Sequence, residues 1–311
     1  MKTEVNGAVK SKESLISNSV SPKINLNIPG IASDQKESIT TNRSMVSRRK
    51  DGRKQINQYI LVKMIGQGQY AKVYACFEEK DPNKKMYAMK VLKKQNKRTG
   101  YFKKKTQNTF IDSEMAILKK MNHPNVLNLK ELIDDQTQNK VYVITDLANE
   151  SLAEKINRKG KFKMEDCLKY FRQIILALEY CHECAGVIHR DIKPENILLD
   201  DNDDVKLADF GVSSIMENGC DELSNTAGSN FYMSPEACKG SMYKGRGSDV
   251  WAAGITLFFM VMGELPFLAN NYPDLFQKIQ NEEPEFPNWL EPNTKDLLQK
   301  ILEKDPEKRI Q

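Results

Sequence analysis

His189-Arg190-Asp191-Ile192-Lys193-Pro194-Glu195-Asn196 is followed by the apolar run Ile197-Leu198-Leu199, an acidic turn and Asp209-Phe210-Gly211. No other stretch of the 311-residue chain is as informative. Asp191 can accept or orient the proton of a hydroxyl nucleophile. Lys193 can neutralise charge on a moving anionic group. Asn196 and Asp209 offer the oxygen donors that a hard cation such as Mg²⁺ takes. Phosphoryl transfer asks a protein mostly for positioning and charge stabilisation, and this set supplies both.

Upstream residues complete the pattern. Tyr87-Ala88-Met89-Lys90 ends an apolar, strand-like run. A lysine there could be only a solvated strand end, but Glu114 lies on the next predicted helix, where an ion pair with Lys90 would hold that ammonium against phosphates. Gly66-Gln67-Gly68-Gln69-Tyr70-Ala71-Lys72-Val73 joins two predicted strands. A glycine-rich turn alone is weak evidence. Its strand-to-strand setting argues against a dinucleotide site, where the glycines open a helix. Ala71 stands at the third glycine position.

The rest of the chain reads as α+β. Strand-like runs cover Tyr59–Ile65, Ala71–Phe77 and Met86–Leu92, then Asn128–Ile133 and Val141–Thr145, with a helix at Thr109–Met121. Beyond residue 150 helices dominate: Met164–Cys184, Asp249–Met262, Pro273–Asn281 and Thr294–Glu303. This predicts a five-stranded antiparallel lobe with one main helix (58–145), a hinge (146–148) and a larger helical lobe (149–311). Residues 1–57 read as a basic, Ser/Thr/Asn-rich leader without periodicity, expected to be disordered. Residues 1–58 carry eleven Lys/Arg against five Asp/Glu, so the net +5 of the chain belongs to the leader. The leader lacks interleaved aromatics and an amphipathic period, so nucleic acid and membrane are not expected partners. The six cysteines form no regular framework, and Cys181-x-x-Cys184 lacks a second ligand pair for zinc. Without a signal-like segment, a cytoplasmic and also nuclear location is expected.

With Ser234-Pro235-Glu236, Asp249 and Arg309 added, residues 59–311 resemble a eukaryotic Ser/Thr protein kinase domain. Asn57-Gln58-Tyr59, Tyr87 to Leu92, Ala116-Ile117-Leu118-Lys119-Lys120, Asp209 to Ser213 and Leu223-Ser224-Asn225-Thr226 look most like the calcium/calmodulin-dependent protein kinase kinases. The resemblance implies a two-lobed kinase fold, ATP and Mg²⁺ as cofactors, and protein substrates, other Ser/Thr kinases among them. Another calcium-regulated or related branch stays open, as does a scaffold without catalysis. Two features depart from that group. The Lys90–Glu114 segment holds a short lysine-rich insert without proline, and the sequence ends before the domain's usual last helix. Calmodulin control would need a segment absent here.

The same resemblance implies roles for further residues. Asp191, Lys193, Lys90 and Glu114 would be catalytic, and Asn196 and Asp209 would hold metal. Ile65, Gly66, Gly68, Val73, Ala88, Lys90, Thr145, Asp146, Ala148 and Leu198 would surround the nucleotide, with Thr145 as gatekeeper. Leu118, Leu129, His189 and Phe210 would stack between the lobes. Ser229, with Lys193, would mark Ser/Thr specificity. Glu236 would pair with Arg309. Asn225 stands where many such kinases carry a phosphorylated Thr, which implies activity without that phosphate; Thr226 or Ser224 is the alternative phosphosite.

Overall fold

The computed structural model describes residues 39–68, 71–94 and 111–311. Most of the leader, Tyr70 and the insert lysines from Lys97 to Lys105 lie outside the described residues.

The five expected strands are present: β4 (Tyr59–Gln67), β5 (Ala71–Glu78), β6 (Met86–Lys93), β7 (Leu129–Asp134) and β8 (Lys140–Asp146). All their mutual pairings are antiparallel. The expected helix appears as α1, 111–118. Period-2 alternation explains why the sheet is buried on both faces. Tyr87 and Met89 on β6 face a cluster with Tyr59, Cys76, Tyr142 and Ile144. Leu92 faces the other way, into the core with Leu118, Val141 and Val143.

Three strands were not legible in the sequence. β1 (Ile39–Thr41), β2 (Val46–Arg48) and β3 (Lys54–Ile56) make the sheet eight-stranded, in the order β1-β7-β8-β6-β5-β4-β3-β2. Residues 39–56 are therefore ordered strap, not irregular leader. Each strand is too short to show a period, and distant side chains hold them. Thr41 Oγ1 donates to Glu131 Oε1 at 2.6 Å. Gln58 Nε2 and Tyr59 OH both donate to Glu131 Oε2 at 2.7 Å. Ser44 donates its N–H and hydroxyl to Asp135. Ile56 is fully buried with Tyr59 and Tyr142. The strap thus spans both edges of the original sheet: β1 runs parallel to β7, while β3 pairs with β4.

The large lobe follows through β9 (Glu150–Ser151), α2 (Leu152–Lys159) and α3 (Met164–Glu179). α2 begins with a capping box between Ser151 and Glu154. α3 ends earlier than expected because Tyr180–Cys184 form a π-helical turn. After β10 (Val187–Ile188) a short 3₁₀ turn, Pro194–Asn196, leads into β11 (Ile197–Leu199), β12 (Val205–Leu207), β13 (Ser214–Ile215) and β14 (Glu222–Leu223). Helices α4 (Pro235–Cys238), α5 (Gly245–Met262), α6 (Tyr272–Asn281) and α7 (Pro292–Ile301) complete the lobe, with β15 (Tyr243–Lys244) before α5. α5 is apolar nearly all round and buried accordingly. α7 crosses it at Gly254, where an added Cβ would lie 2.3 Å from Ile301 Cγ2.

One buried ion pair ties α4 to the chain after α7. Arg309 Nη1 and Nη2 donate to Glu236 Oε1 and Oε2 at 2.6 and 2.8 Å. Its Nε and Nη1 also donate to the Glu303 and Gly247 carbonyls. Removing one partner strands a buried charge, at a cost of about 3–5 kcal/mol. Arg309→Met is therefore expected to lower Tm by on the order of 10 °C. The double variant Glu236→Met/Arg309→Met should recover much of that loss in thermal unfolding. Strictly additive losses would show that the two groups do not depend on each other.

Candidate active site

β6 carries Lys90 toward α1, and the loop after β12 carries Asp209 to the same point. Lys90 Nζ donates to Glu114 Oε1 at 2.7 Å and to Asp209 Oδ1 at 3.2 Å. Burial works against the Lys90 ammonium, but Glu114 and Asp209 outweigh it and hold its pKa above the ordinary value. Burial likewise opposes the Asp209 carboxylate, yet the adjacent Lys90 charge holds it below the usual carboxylate range. Asp209 is thus anionic while half-exposed.

The second half of the site lies between β10 and β11. Asn196 Nδ2 donates to both the carbonyl and the Oδ2 of Asp191 at 2.8 Å. This commits the amide nitrogen and leaves the amide oxygen for another ligand. Lys193 Nζ is 2.7 Å from Asp191 Oδ2. Ser229 closes the group: its hydroxyl donates to Asp191 Oδ1 at 2.9 Å and accepts from Lys193 at 2.7 Å. Gly228 beside it has φ +95°, and a Cβ there would meet the Arg190 carbonyl at 2.2 Å. Only glycine lets the loop come this close.

Two non-glycine residues at the site adopt left-handed backbone, Arg190 (φ 72°) and Asp209 (φ 62°). Such strain persists only where the surroundings over-determine it. At Arg190 the determinant is Asp249, whose Oδ2 accepts from His189 N and Oδ1 from Arg190 N, both at 2.8 Å. His182 Nε2–H donates to the same carboxylate. Burial would raise the Asp249 pKa, but His182 and these N–H groups keep it low. The Arg190 side chain reaches the activation segment. Nη2 donates to the Asn225 carbonyl at 2.6 Å and to Asn225 Oδ1 at 2.9 Å, and Nη1 to Ser214 at 2.9 Å. Ser224 and Thr226 are exposed.

The residues expected around a nucleotide are placed by strand register and burial. Ala88 lies opposite Thr145 in register, and Thr145 opposite Leu129. Thr145 is buried, Val73, Ala88 and Leu198 are half-buried, and Ile65 is exposed. Asp146 and Ala148 follow at the end of β8, half-buried. A Cβ on Gly66 would make only ordinary contact with Val73, and one on Gly68 would come no nearer than 4.0 Å to Ala71 O. Among the described residues, no neighbour requires glycine at either place. His189 and Phe210 stack edge-to-face at 4.9 Å, and Phe210, Leu118 and Leu129 share the main core.

The family described as protein kinase domain matches residues 59–311. The chain belongs to the protein kinase family. Arabidopsis thaliana CBL-interacting serine/threonine-protein kinase 16 is 37% identical over 264 residues, covering 82% of this chain and 54% of the relative. A calcium/calmodulin-dependent protein kinase kinase of Caenorhabditis elegans is 36% identical over 292 residues, covering 86% and 53%. The carbon catabolite-derepressing protein kinase of Candida tropicalis is 35% identical over 255 residues, covering 82% and 39%. The chain spans about half or less of the length of these relatives.

Sequence reading missed three contributors to this kinase site. Ser214 and His182 had no motif to mark them, although His182 lies seven residues before His189. Tyr243, whose hydroxyl donates to the Asn225 carbonyl at 3.2 Å, sits on a two-residue strand no pattern could reveal. Asn225 offers Arg190 a neutral acceptor where an anion would be stronger. Phosphatase-treated protein and the Ser224→Ala/Thr226→Ala variant are expected to keep their phosphotransfer rate, while Asn225→Ala loses several-fold. Loss of activity in both phosphate-free forms, with the fold intact, would place the ordering group on a phosphate instead.

Proposed function

We propose that the chain transfers the γ-phosphoryl group of ATP, with Mg²⁺, to Ser or Thr hydroxyls of proteins, and that activation loops of other Ser/Thr kinases are among its substrates. One observation carries the first part. A hydroxyl, that of Ser229, is bonded at once to the Asp191 carboxylate and the Lys193 ammonium. The same two groups can receive a substrate hydroxyl. As its oxygen bonds to the γ-phosphorus and the bond to the β–γ bridging oxygen breaks, Asp191 takes the proton and Lys193 offsets charge on the moving phosphoryl. Lys90, held by Glu114, would steady the α- and β-phosphates.

The donor set fits Mg²⁺. Asn196 presents an amide oxygen and Asp209 an anionic carboxylate, both hard ligands. Two protein donors suit an ion that keeps water and substrate phosphates as its other ligands. When bound, Mg²⁺ supplies charge neutralisation at the phosphates.

The kinase-kinase reading rests on the motif resemblance and on Asn225, supported by the similarity to the C. elegans kinase kinase. A related Ser/Thr branch is the second reading, favoured by comparable similarity, 37% and 35% identity, to CBL-interacting and carbon catabolite-derepressing kinases. Catalytically dead kinases offered as substrates separate the two: labelling confined to the activation loop supports the first, and labelling of generic peptides alone supports the second. The six cysteines form no regular framework in the sequence, which fits work in a reducing compartment, cytoplasmic or nuclear.

Asp191→Asn should cut turnover with radiolabelled ATP on the order of 10²–10⁴-fold while ATP binding changes little. An undiminished rate would remove Asp191 from the chemistry. Thr145→Met should weaken inhibitors that reach behind the adenine and leave ATP affinity nearly unchanged. Equal inhibitor affinity in both forms would mean Thr145 does not face that space.

A further inference from the structure

The strap brings cations together on one face of the small lobe. On β3, Lys54 shares a face with Ile56, and on β8, Lys140 shares a face with Tyr142. Ile56 and Tyr142 belong to one buried cluster, so Lys54 and Lys140 emerge beside the same apolar patch. Arg48 lies directly opposite Lys54, and Lys93 directly opposite Lys140. Directly opposed residues on antiparallel strands lie about 5 Å apart and point the same way.

Four cations therefore share one surface. Carboxylates of these strands and turns are engaged elsewhere: Asp51 with Arg53, Asp134 with Lys94, Glu79 with Arg49, and Asp135 with Ser44 and Thr137. Among the described residues, no carboxylate comes within ion-pair distance of Arg48, Lys54, Lys93 or Lys140. Lys54 registers this. Burial depresses its pKa, and Lys140 and Arg48 depress it further, with no acidic group opposing them. Residues 95–110, which continue the chain from this surface, contain five Lys/Arg and no Asp or Glu. That segment cannot supply the missing charge.

We propose that Arg48, Lys54, Lys93 and Lys140 form a binding site for a clustered-phosphate anion, such as a soluble inositol polyphosphate or the headgroup of a phosphoinositide. A phosphomonoester brings nearly two charges and three acceptor oxygens to one point, which suits cations spaced by strand geometry. Carboxylate side chains bring one charge each. No amphipathic insertion is needed, so the leader's lack of one is no obstacle. The site lies outside the phosphotransfer machinery and does not depend on the proposed substrate.

The test uses the full chain. Inositol hexakisphosphate binding is measured by titration calorimetry, and retention on phosphatidylcholine vesicles with and without phosphatidylinositol 4,5-bisphosphate by sedimentation. Lys54→Gln/Lys140→Gln is compared with Lys159→Gln/Lys239→Gln, which removes equal charge from the exposed large lobe. The first pair is expected to weaken binding about tenfold or more, the second only slightly, with phosphotransfer to a generic peptide unchanged in both. Arg48→Gln, at an exposed position, repeats the test should the first pair disturb folding. Binding of inositol hexakisphosphate without vesicle retention identifies a soluble ligand; retention on the phosphoinositide vesicles identifies a membrane headgroup. Equal losses in the two pairs, or binding to neither probe, overturns the proposal.

Discussion

The carboxylate of Asp249 holds the site in shape. It is buried inside the large lobe, on an apolar helix, where an unpaired charge would be very costly. It is instead satisfied by His182 and by two consecutive backbone N–H groups, those of His189 and Arg190. Those bonds fix the left-handed turn at Arg190, and two consequences follow. The next residue, Asp191, is set against Asn196 and Lys193, and the Arg190 side chain is aimed at Ser214 and Asn225. A single acid in the core of one helix thus sets both the Asp191 carboxylate and the segment that Arg190 reaches.

The small lobe is organised by the analogous anion Glu131. It is nearly fully buried, and it accepts from Thr41, Gln58 and Tyr59. One oxygen takes the strap and the other takes the start of β4. The pair Lys90–Glu114 then links this lobe's sheet to its helix, and Lys90–Asp209 links it to the large lobe. Each junction is charged and partly or wholly buried, so geometry at these points is specified more tightly than hydrophobic packing alone would require.

What the sequence revealed and what it hid differ in physical kind. Lys90, Glu114, Asp191, Asn196 and Asp209 were legible because chemistry restricts those residue types, and the structure brings all five to one mouth. The five main strands and the long helices were legible from period. The strap was hidden because three-residue strands have no measurable period, and its polar residues resemble a solvated leader until Glu131 and Asp135 are brought up to them. The end of α3 was misjudged for a related reason. Nothing in Tyr180–Cys184 breaks a helix, and its first residue is held by distant partners, the Lys120 carbonyl and the Asn122 N–H, 60 and 58 residues away.

The strap also carries a consequence for the order of assembly. Thr41 and its partner Glu131 are 90 residues apart. During synthesis the first of them leaves the ribosome well before the second exists. Contacts of such sequence separation close late, because loop entropy must be met before they form. Until β7 emerges, β1 has no neighbour, and the inward face of Ile56 and Tyr59 has only part of its cover. The nascent small lobe therefore passes through a stage with an open strand and exposed apolar surface, the kind of intermediate that chaperones hold.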